Sequence, residues 1–144
     1  MRTVVCGIGN RMRGDDAAGP LVIDKLKSVI RTKDVLLLDC GELPENLITQ
    51  ITKFKPNKLI LIDSADLGSE PGAFREISQD EIKDHVLSTH RMPLTMLVKF
   101  LNSRIKFDLV FIGIQPKQSG LNEPVSLECK MAVRKVTELV TEMI

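Results

Sequence analysis

Four short runs of apolar residues divide the chain, and each is almost continuously hydrophobic instead of alternating with polar positions. They are Thr3–Ile8, Val35–Asp39, Lys58–Asp63 and Asp108–Ile114. Unbroken apolar runs of this length predict strands that are covered on both faces, as in a parallel sheet. The segment Gly72–Ser78 follows a turn that contains Gly and Pro, and we expect it to form a fifth strand at the edge of the sheet.

Segments with the apolar spacing of amphipathic helices lie between and after these runs. They are Ala17–Ile30, Glu45–Phe54, Pro93–Leu101 and the tail that carries Ala132, Val136, Leu139, Val140 and Met143 on one stripe. Strands that alternate with helices predict an α/β protein. We expect a three-layer sandwich: a mainly parallel, twisted sheet of about five strands with helices on both faces. Because no repeat or linker interrupts the pattern, we expect residues 1–144 to form a single domain.

Composition and charge exclude several classes of function. The chain has 20 basic and 19 acidic residues and a net charge of +1. It therefore lacks the excess of positive charge that favours binding to nucleic acid or to an anionic membrane. No apolar run approaches the roughly 20 residues of a membrane span, and the N-terminal residues do not resemble a signal peptide. We therefore expect a cytoplasmic protein that binds neither nucleic acid nor membrane.

The three cysteines fit this interpretation, because their odd number and spacing indicate neither a disulfide framework nor a zinc knuckle. We expect Cys6 in an inner strand and Cys129 on the last helix to be structural. Cys40, beside a glycine, is the thiol we expect to be accessible, and no base is placed to activate it.

The loop after the first strand reads GIGNRMRGDDAAGP, from Gly7 to Pro20, and is rich in glycine. It lacks the third glycine of a dinucleotide-binding fingerprint and the Gly-Lys-Ser/Thr of a phosphate-binding loop. Asp15 and Asp16 stand where the next helix begins, and a carboxylate there competes with a phosphate. One of them could cap the helix; the other interpretation is that the loop presents a carboxylate to a cation.

Two further aspartates favour the cation. Asp39 and Asp63 end the second and third apolar runs, and the carboxyl ends of parallel strands meet at one edge of a sheet. Together with Asp16 they would form a cluster of negative charge, and such clusters usually bind a cation. We name Asp16, Asp39 and Asp63 as the candidate catalytic residues.

The nitrogen donor that we expect to join them is His90. Met92 precedes Pro93 and is pushed towards an extended conformation, so His90 lies in a loop just before a helix. The start of a helix disfavours imidazolium and keeps the ring in the neutral form that binds metal. His85 lies in a polar stretch, and we expect it at the surface.

Two carboxylates and an imidazole suit Ni²⁺, Zn²⁺, Mn²⁺ or Fe²⁺, and three ligands leave positions open for substrate or water. Ser64, Ser88 and Thr89 are also close in the chain to the expected site, but their spacing does not define a Ser-His-Asp triad.

Five segments then resemble those of the hydrogenase maturation endopeptidases, nearest to the type that processes the hydrogenase of formate hydrogenlyase. They read GIGNRMRGDDAAGP, DCGELPEN, LILIDSADLGSEPGAFREI, STHRMPL and FIGIQP, and they occur in the order found in the family. The resemblance implies removal of a C-terminal extension from the large-subunit precursor of a nickel–iron hydrogenase after nickel insertion. It implies a twisted sheet with helices on both faces.

The resemblance also implies that Asp16, Asp63 and His90 contact nickel supplied by the substrate, and that no organic cofactor is used. Asp39 matches the aspartate of the family's Asp-Gly-Gly segment, in which this chain has Cys40 in place of the first glycine. The resemblance leaves open whether nickel polarises the scissile bond or serves recognition only, with an aspartate acting directly.

Three other functions remain as alternatives. A nickel-dependent maturation chaperone that docks on the precursor without cutting it would need the same ligands. A flavodoxin-like module is disfavoured, because the chain has no Trp or Tyr and only five Phe. The third is a relative that has lost activity. We expect a monomer, since the sequence pattern shows no additional helix that would form an interface.

Overall fold

A computed structural model of the chain describes residues 1–82 and 94–144. The strands are β1 (Thr3–Ile8), β2 (Val35–Gly41), β3 (Lys58–Ser64), β4 (Phe74–Ile77) and β5 (Asp108–Ile114). The α-helices are α1 (Ala18–Val29), α2 (Ile48–Phe54), α3 (Gln79–Ile82), α4 (Leu94–Asn102) and α5 (Leu127–Met143). Two 3₁₀ turns, Gly14–Ala17 and Pro44–Leu47, lead into α1 and α2.

The five strands form one sheet in the order β2-β1-β3-β5-β4. The ladders that join β2, β1, β3 and β5 are parallel, and β4 pairs with β5 in the antiparallel sense at the edge. The sequence-based predictions of a mainly parallel sheet and of an edge strand within Gly72–Ser78 are confirmed. The first and fourth predicted strands have their predicted bounds, and the second and third extend slightly further.

Helices cover both faces of the sheet, which confirms the predicted sandwich. On one face α1 and α5 pack over strand residues such as Val5, Ile60 and Ile112. On the other, α2 and α4 cover residues such as Val4 and Leu59. Successive strand residues point to opposite faces, so a strand buried on both sides is apolar at nearly all of its central positions. Each large apolar side chain buried in this way stabilises the fold by about 1.5–3 kcal/mol.

The strand order places a crevice at the carboxyl edge of the sheet. The chain leaves β1 to build β2 on one side and later β3 on the other, so the loops after β1 and β3 diverge. Ligands of open α/β sheets bind at such a switch point. In the register of the ladders, Gly7 of β1 lies beside Asp39 of β2 and beside Ile62 of β3. Asp39 and Asp63 are therefore brought to the same edge.

Helix α1 starts directly over this edge because two glycines allow its backbone to touch the sheet. A Cβ atom on Gly19 would lie 2.5 Å from the carbonyl oxygen of Ile8 and 2.6 Å from that of Ile62. Gly7 faces the backbone of Gly19 in the same contact. The close approach fixes where the turn before α1, with Asp15 and Asp16, meets the strand ends.

The cysteines differ from the sequence-based expectation. Cys6 and Cys40 form a disulfide between neighbouring strands, with their Cα atoms 6.0 Å apart, and Cys40 is buried. The expectations of an accessible Cys40 and of no disulfide were wrong. The ladder between β1 and β2 has an irregularity after Gly7, so Cys40 is left without a register partner and packs in the same apolar cluster as Cys6. Cysteine usage therefore no longer supports the prediction of a cytoplasmic location.

Cys129 is buried on α5, as predicted. Burial, and to a smaller extent the neighbouring Asp15, raises the pKa of the Cys129 thiol to about 12. Because the thiolate is the reactive form, a raised pKa leaves this thiol protonated and inert at neutral pH.

These states predict a pattern of alkylation by iodoacetamide at pH 8, read by intact mass. Without reductant, the folded protein should take up no label and the denatured protein one, at Cys129. Denaturation with reductant should give three. Three labels without reductant would contradict the disulfide, and labelling of the folded protein would contradict the shielding of Cys129.

Candidate active site

The loop between β1 and α1 lies across the carboxyl edge of the sheet. The backbone N–H of Gly9 donates to the carbonyl oxygen of Gly41 at 2.8 Å, which ties the loop to the end of β2. Gly9 has a φ of +146°, a conformation that side chains disfavour, and a Cβ there would collide with the backbone of Asp16. The loop therefore folds back tightly and turns its two aspartates inwards.

Asp15 is a structural residue. Its side chain is buried and accepts hydrogen bonds from the N–H of Ser126 (2.7 Å), the Oγ of Ser126 (2.7 Å) and the N–H of Lys117 (2.8 Å). Ser126 is the N-cap of α5, since its Oγ accepts from the N–H of Cys129 at 3.1 Å. One carboxylate thus joins the turn before α1 to the loop after β5 and to the start of α5.

The alternative that an aspartate caps α1 is not what the structure shows. Neither the 3₁₀ turn Gly14–Ala17 nor α1 has a side-chain cap. Asp15 and Asp16 instead bind donors from distant segments, because the tight turn directs them into the protein interior.

Asp16 links the loop to the end of β3. It is 4% exposed; its Oδ1 accepts from the Oγ of Ser64 and its Oδ2 from the N–H of Asn10, each at 2.8 Å. Ser64 therefore orients Asp16. Asp63, the residue before Ser64, is fully buried at the same strand end. Asp16 thus contacts the residue next to Asp63 at the end of β3, and a shared role of Asp16 and Asp63 stays a prediction.

Asp39 lies on the other side of β1. The two strands that carry Asp39 and Asp63 are separated by β1, so their backbones are roughly 10 Å apart. The side chain of Asp39 is 32% exposed and accepts from the Nε of Arg11 at 2.9 Å and from the N–H of Gly41 at 3.0 Å. Asp39 therefore lies at the rim of the crevice and is more exposed than Asp16 or Asp63.

Arg11 also binds Asp24 on α1, with Nη1 and Nη2 at 2.7 and 2.8 Å from the two carboxylate oxygens. The hydrogen bonds to Asp24 and then to Asp39 raise the pKa of Arg11 above its ordinary value. The same bond from Arg11 holds the pKa of Asp24 below its usual range. Arg11 thus remains charged between the two carboxylates.

His85 and His90, with Ser88 and Thr89, lie outside the described residues, so their roles stay predictions. Within residues 1–82 and 94–144, no three His, Cys, Asp or Glu side chains are grouped so as to hold a metal ion. Within that same part of the chain, none of the helices has the length and apolarity that a membrane crossing requires.

Sequence reasoning missed two connections. Ser126 had a readable signal, since a serine just before an apolar helical stripe is a typical N-cap. The bond between Ser126 and Asp15 had no signal in the sequence, because the two residues are 111 positions apart. The contacts of Arg11 with Asp24 and Asp39 also follow only from the folded loop.

Fold and site together define an α/β protein with an acidic crevice at the switch point of a parallel sheet. The sequence profile of the hydrogenase maturation protease family matches residues 20–144. The chain belongs to this family of proteases.

Two relatives illustrate the similarity. The hydrogenase 3 maturation protease of Escherichia coli K12 is 37% identical over 137 residues, covering 94% of this chain and 86% of the relative. The crystal structure of the [NiFe] hydrogenase maturation protease HycI from Thermococcus kodakarensis superposes with a TM-score of 0.89 at 39% identity, covering 98% and 90% of the two chains. The E. coli endopeptidase HybD, at 21% identity and a TM-score of 0.84, shares the fold.

The role of Asp15 predicts a loss of stability on substitution. In Asp15→Asn an amide NH₂ would face backbone N–H donors, so we expect the free energy of unfolding in urea to fall by about 3 kcal/mol. Asp34→Asn, at an exposed position, is the matched control and should change it by less than about 0.5 kcal/mol. Equal stability of the two variants would contradict the structural role of Asp15.

Proposed function

We propose that this chain is the endopeptidase that removes the C-terminal extension of a nickel–iron hydrogenase large-subunit precursor once nickel has been inserted. Membership of the protease family supports the reaction class. The observation that carries the proposal is the bond from Ser64 to Asp16, which joins the loop after β1 to the end of β3, where Asp16 and Asp63 are both buried.

The chemistry of this pair suits a divalent cation that arrives with the substrate. A carboxylate oxygen can accept two hydrogen bonds, and each oxygen of Asp16 accepts one from residues within 1–82 and 94–144, so a lone pair on each is left within that part of the chain. Asp63 is fully buried beside Ser64, and a cation bound by both carboxylates would offset the cost of burying their charge. His90 is proposed as the nitrogen ligand, and the nickel belongs to the precursor.

Such ligands would make binding depend on nickel. A precursor with nickel gains coordination by Asp16, Asp63 and His90, whereas an empty precursor offers no cation to the buried carboxylates. The difference between the two affinities is the coupling free energy that makes nickel insertion a condition for cleavage.

Cleavage requires that water attack the scissile carbonyl carbon while a base takes its proton and later returns one to the leaving amine nitrogen. Asp16 and Asp39 are the two proposed bases. Asp16 lies beside the proposed metal position, whereas Asp39 lies at the rim with both oxygens already accepting hydrogen bonds. Nickel would polarise the carbonyl in one version of the mechanism, and in the other it would serve recognition only.

The test is the intact mass of a purified large-subunit precursor, nickel-loaded or nickel-free, after incubation with this protein. We expect loss of a C-terminal peptide from the loaded form alone. Asp16→Asn should slow that cleavage by at least about 100-fold, the usual loss when an acid–base group is removed. Asp63→Asn should also slow it, because it removes a proposed ligand of the nickel. Asp34→Asn should cleave like the unaltered protein.

Each other outcome has a defined meaning. Equal cleavage of both forms would contradict the nickel condition but keep the protease. Nickel-dependent binding without cleavage would replace the endopeptidase by the non-cleaving chaperone. Circular dichroism of each variant shows that a loss of cleavage is not a loss of fold.

A further inference from the structure

The guanidinium of Arg11 connects three elements at the rim of the crevice. Its Nε and Nη2 both lie 2.9 Å from Oδ2 of Asp39, at the end of β2. Its Nη1 and Nη2 bind the two oxygens of Asp24 on α1. Arg11 itself belongs to the loop that carries Asp16. The planar fork of arginine is the side chain that can bind two carboxylates at once in fixed directions.

We propose that Arg11 is a positioning residue for precursor cleavage: held from behind by Asp24, it fixes the direction of the Asp39 carboxylate at the rim of the acidic crevice. This inference rests on the proposed function. Arg11 acts through Asp39.

The contacts on Asp39 show why its direction depends on Arg11. Oδ1 accepts from the N–H of Gly41, which lies two residues further along the same strand. That local bond alone does not fix the position of Oδ2. Arg11 donates its Nε–H to Oδ2 and holds the charged Nη2 2.9 Å from the same oxygen, so both oxygens of the carboxylate are held.

Asp24 sets the direction of Arg11 in turn. Asp24 stands on the solvent side of α1, whose opposite side is anchored in the core through Val22, Ile23 and Leu26. The helix is thus a rigid support for the outer end of the guanidinium. Lys27, one turn further along α1, adds a second positive charge near Asp24.

A purely structural role does not account for this arrangement. The side chains of Arg11, Asp24 and Asp39 are 43%, 48% and 32% exposed, and solvent screens ion pairs at such positions. Loss of the bridge should leave the fold intact. It would, however, release Asp39 and remove a positive charge from an edge that also holds Asp16 and Asp63.

The experiment measures kcat/KM for the nickel-loaded precursor in four variants. We expect Arg11→Gln to lower kcat/KM about 10-fold. Asp24→Asn should lower it about 5-fold, because Asp24 holds Arg11 in place and acts on Asp39 only through Arg11. The double variant should be no slower than Arg11→Gln, because both changes break one connection. Arg11→Lys should stay within twofold of Arg11→Gln, since an ammonium cannot reproduce the fork.

Arg13 provides the matched control, because it is an exposed arginine in the same loop. Arg13→Gln should keep kcat/KM within twofold of the unaltered protein, and all variants should keep its melting temperature within a few degrees. Three results would overturn the inference: Arg11→Gln indistinguishable from Arg13→Gln, a faster Arg11→Gln, or additive losses in the double variant.

A second readout does not require cleavage. In side-chain NMR of the protein alone, the Nε–H of Arg11 should exchange with water at least 10-fold more slowly than that of Arg13. Asp39→Asn should abolish this protection, and Asp24→Asn should reduce it. Equal exchange at Arg11 and Arg13 would overturn the bridge whether or not the protein cleaves. A protected Arg11 in a protein that cleaves no precursor would instead contradict the proposed function, and Arg11 would then position no reacting group.

Discussion

The candidate site depends first on the buried carboxylate of Asp15, which accepts hydrogen bonds from Ser126 and Lys117 across the carboxyl edge of the sheet. A carboxylate taken out of water is tolerated only when donors replace its hydration. Here the donors come from the loop after β5 and the start of α5, whereas the carboxylate comes from the turn before α1. These bonds therefore fix the turn in which Asp16 is the next residue.

The aspartates at this edge of the sheet lie in three different environments, and each environment suits a different role. Asp15 is surrounded by donors and holds the structure together. Asp16 and Asp63 lie buried at one strand end, where Ser64 orients the first of them. Asp39 lies at the rim, where it accepts a hydrogen bond from Arg11. Four carboxylates at one edge of a sheet repel one another. Here Asp15 is hydrogen-bonded by Ser126 and Lys117, Asp39 is paired with Arg11, and Asp16 and Asp63 are the proposed ligands of a cation from the substrate.

Much of the fold could be predicted from the sequence, because burial on both faces leaves a distinct pattern in each strand. The edge strand within Gly72–Ser78 was predicted from the turn before it. The positions of Asp39 and Asp63 at one edge followed from the rule that the carboxyl ends of parallel strands meet there. The disulfide of Cys6 with Cys40 could not be predicted, since it depends on an irregularity in the pairing of β1 with β2. The bonds of Asp15 and Arg11 likewise depend on how a glycine-rich loop folds back, which local propensities do not determine. The role of His90 remains a prediction, and so does the ligand set to which it belongs.

Nickel K-edge X-ray absorption of a nickel-loaded precursor, recorded alone and frozen immediately after mixing with this protein, would show whether Asp16 and Asp63 bind the nickel. We expect additional oxygen or nitrogen ligands at about 2.0–2.2 Å from nickel, the range of carboxylate and imidazole donors on a first-row metal ion. These ligands should decrease in number when Asp16→Asn replaces the unaltered protein. A nickel spectrum that this protein leaves unchanged, although the two proteins bind, would contradict recognition of nickel by the buried aspartates.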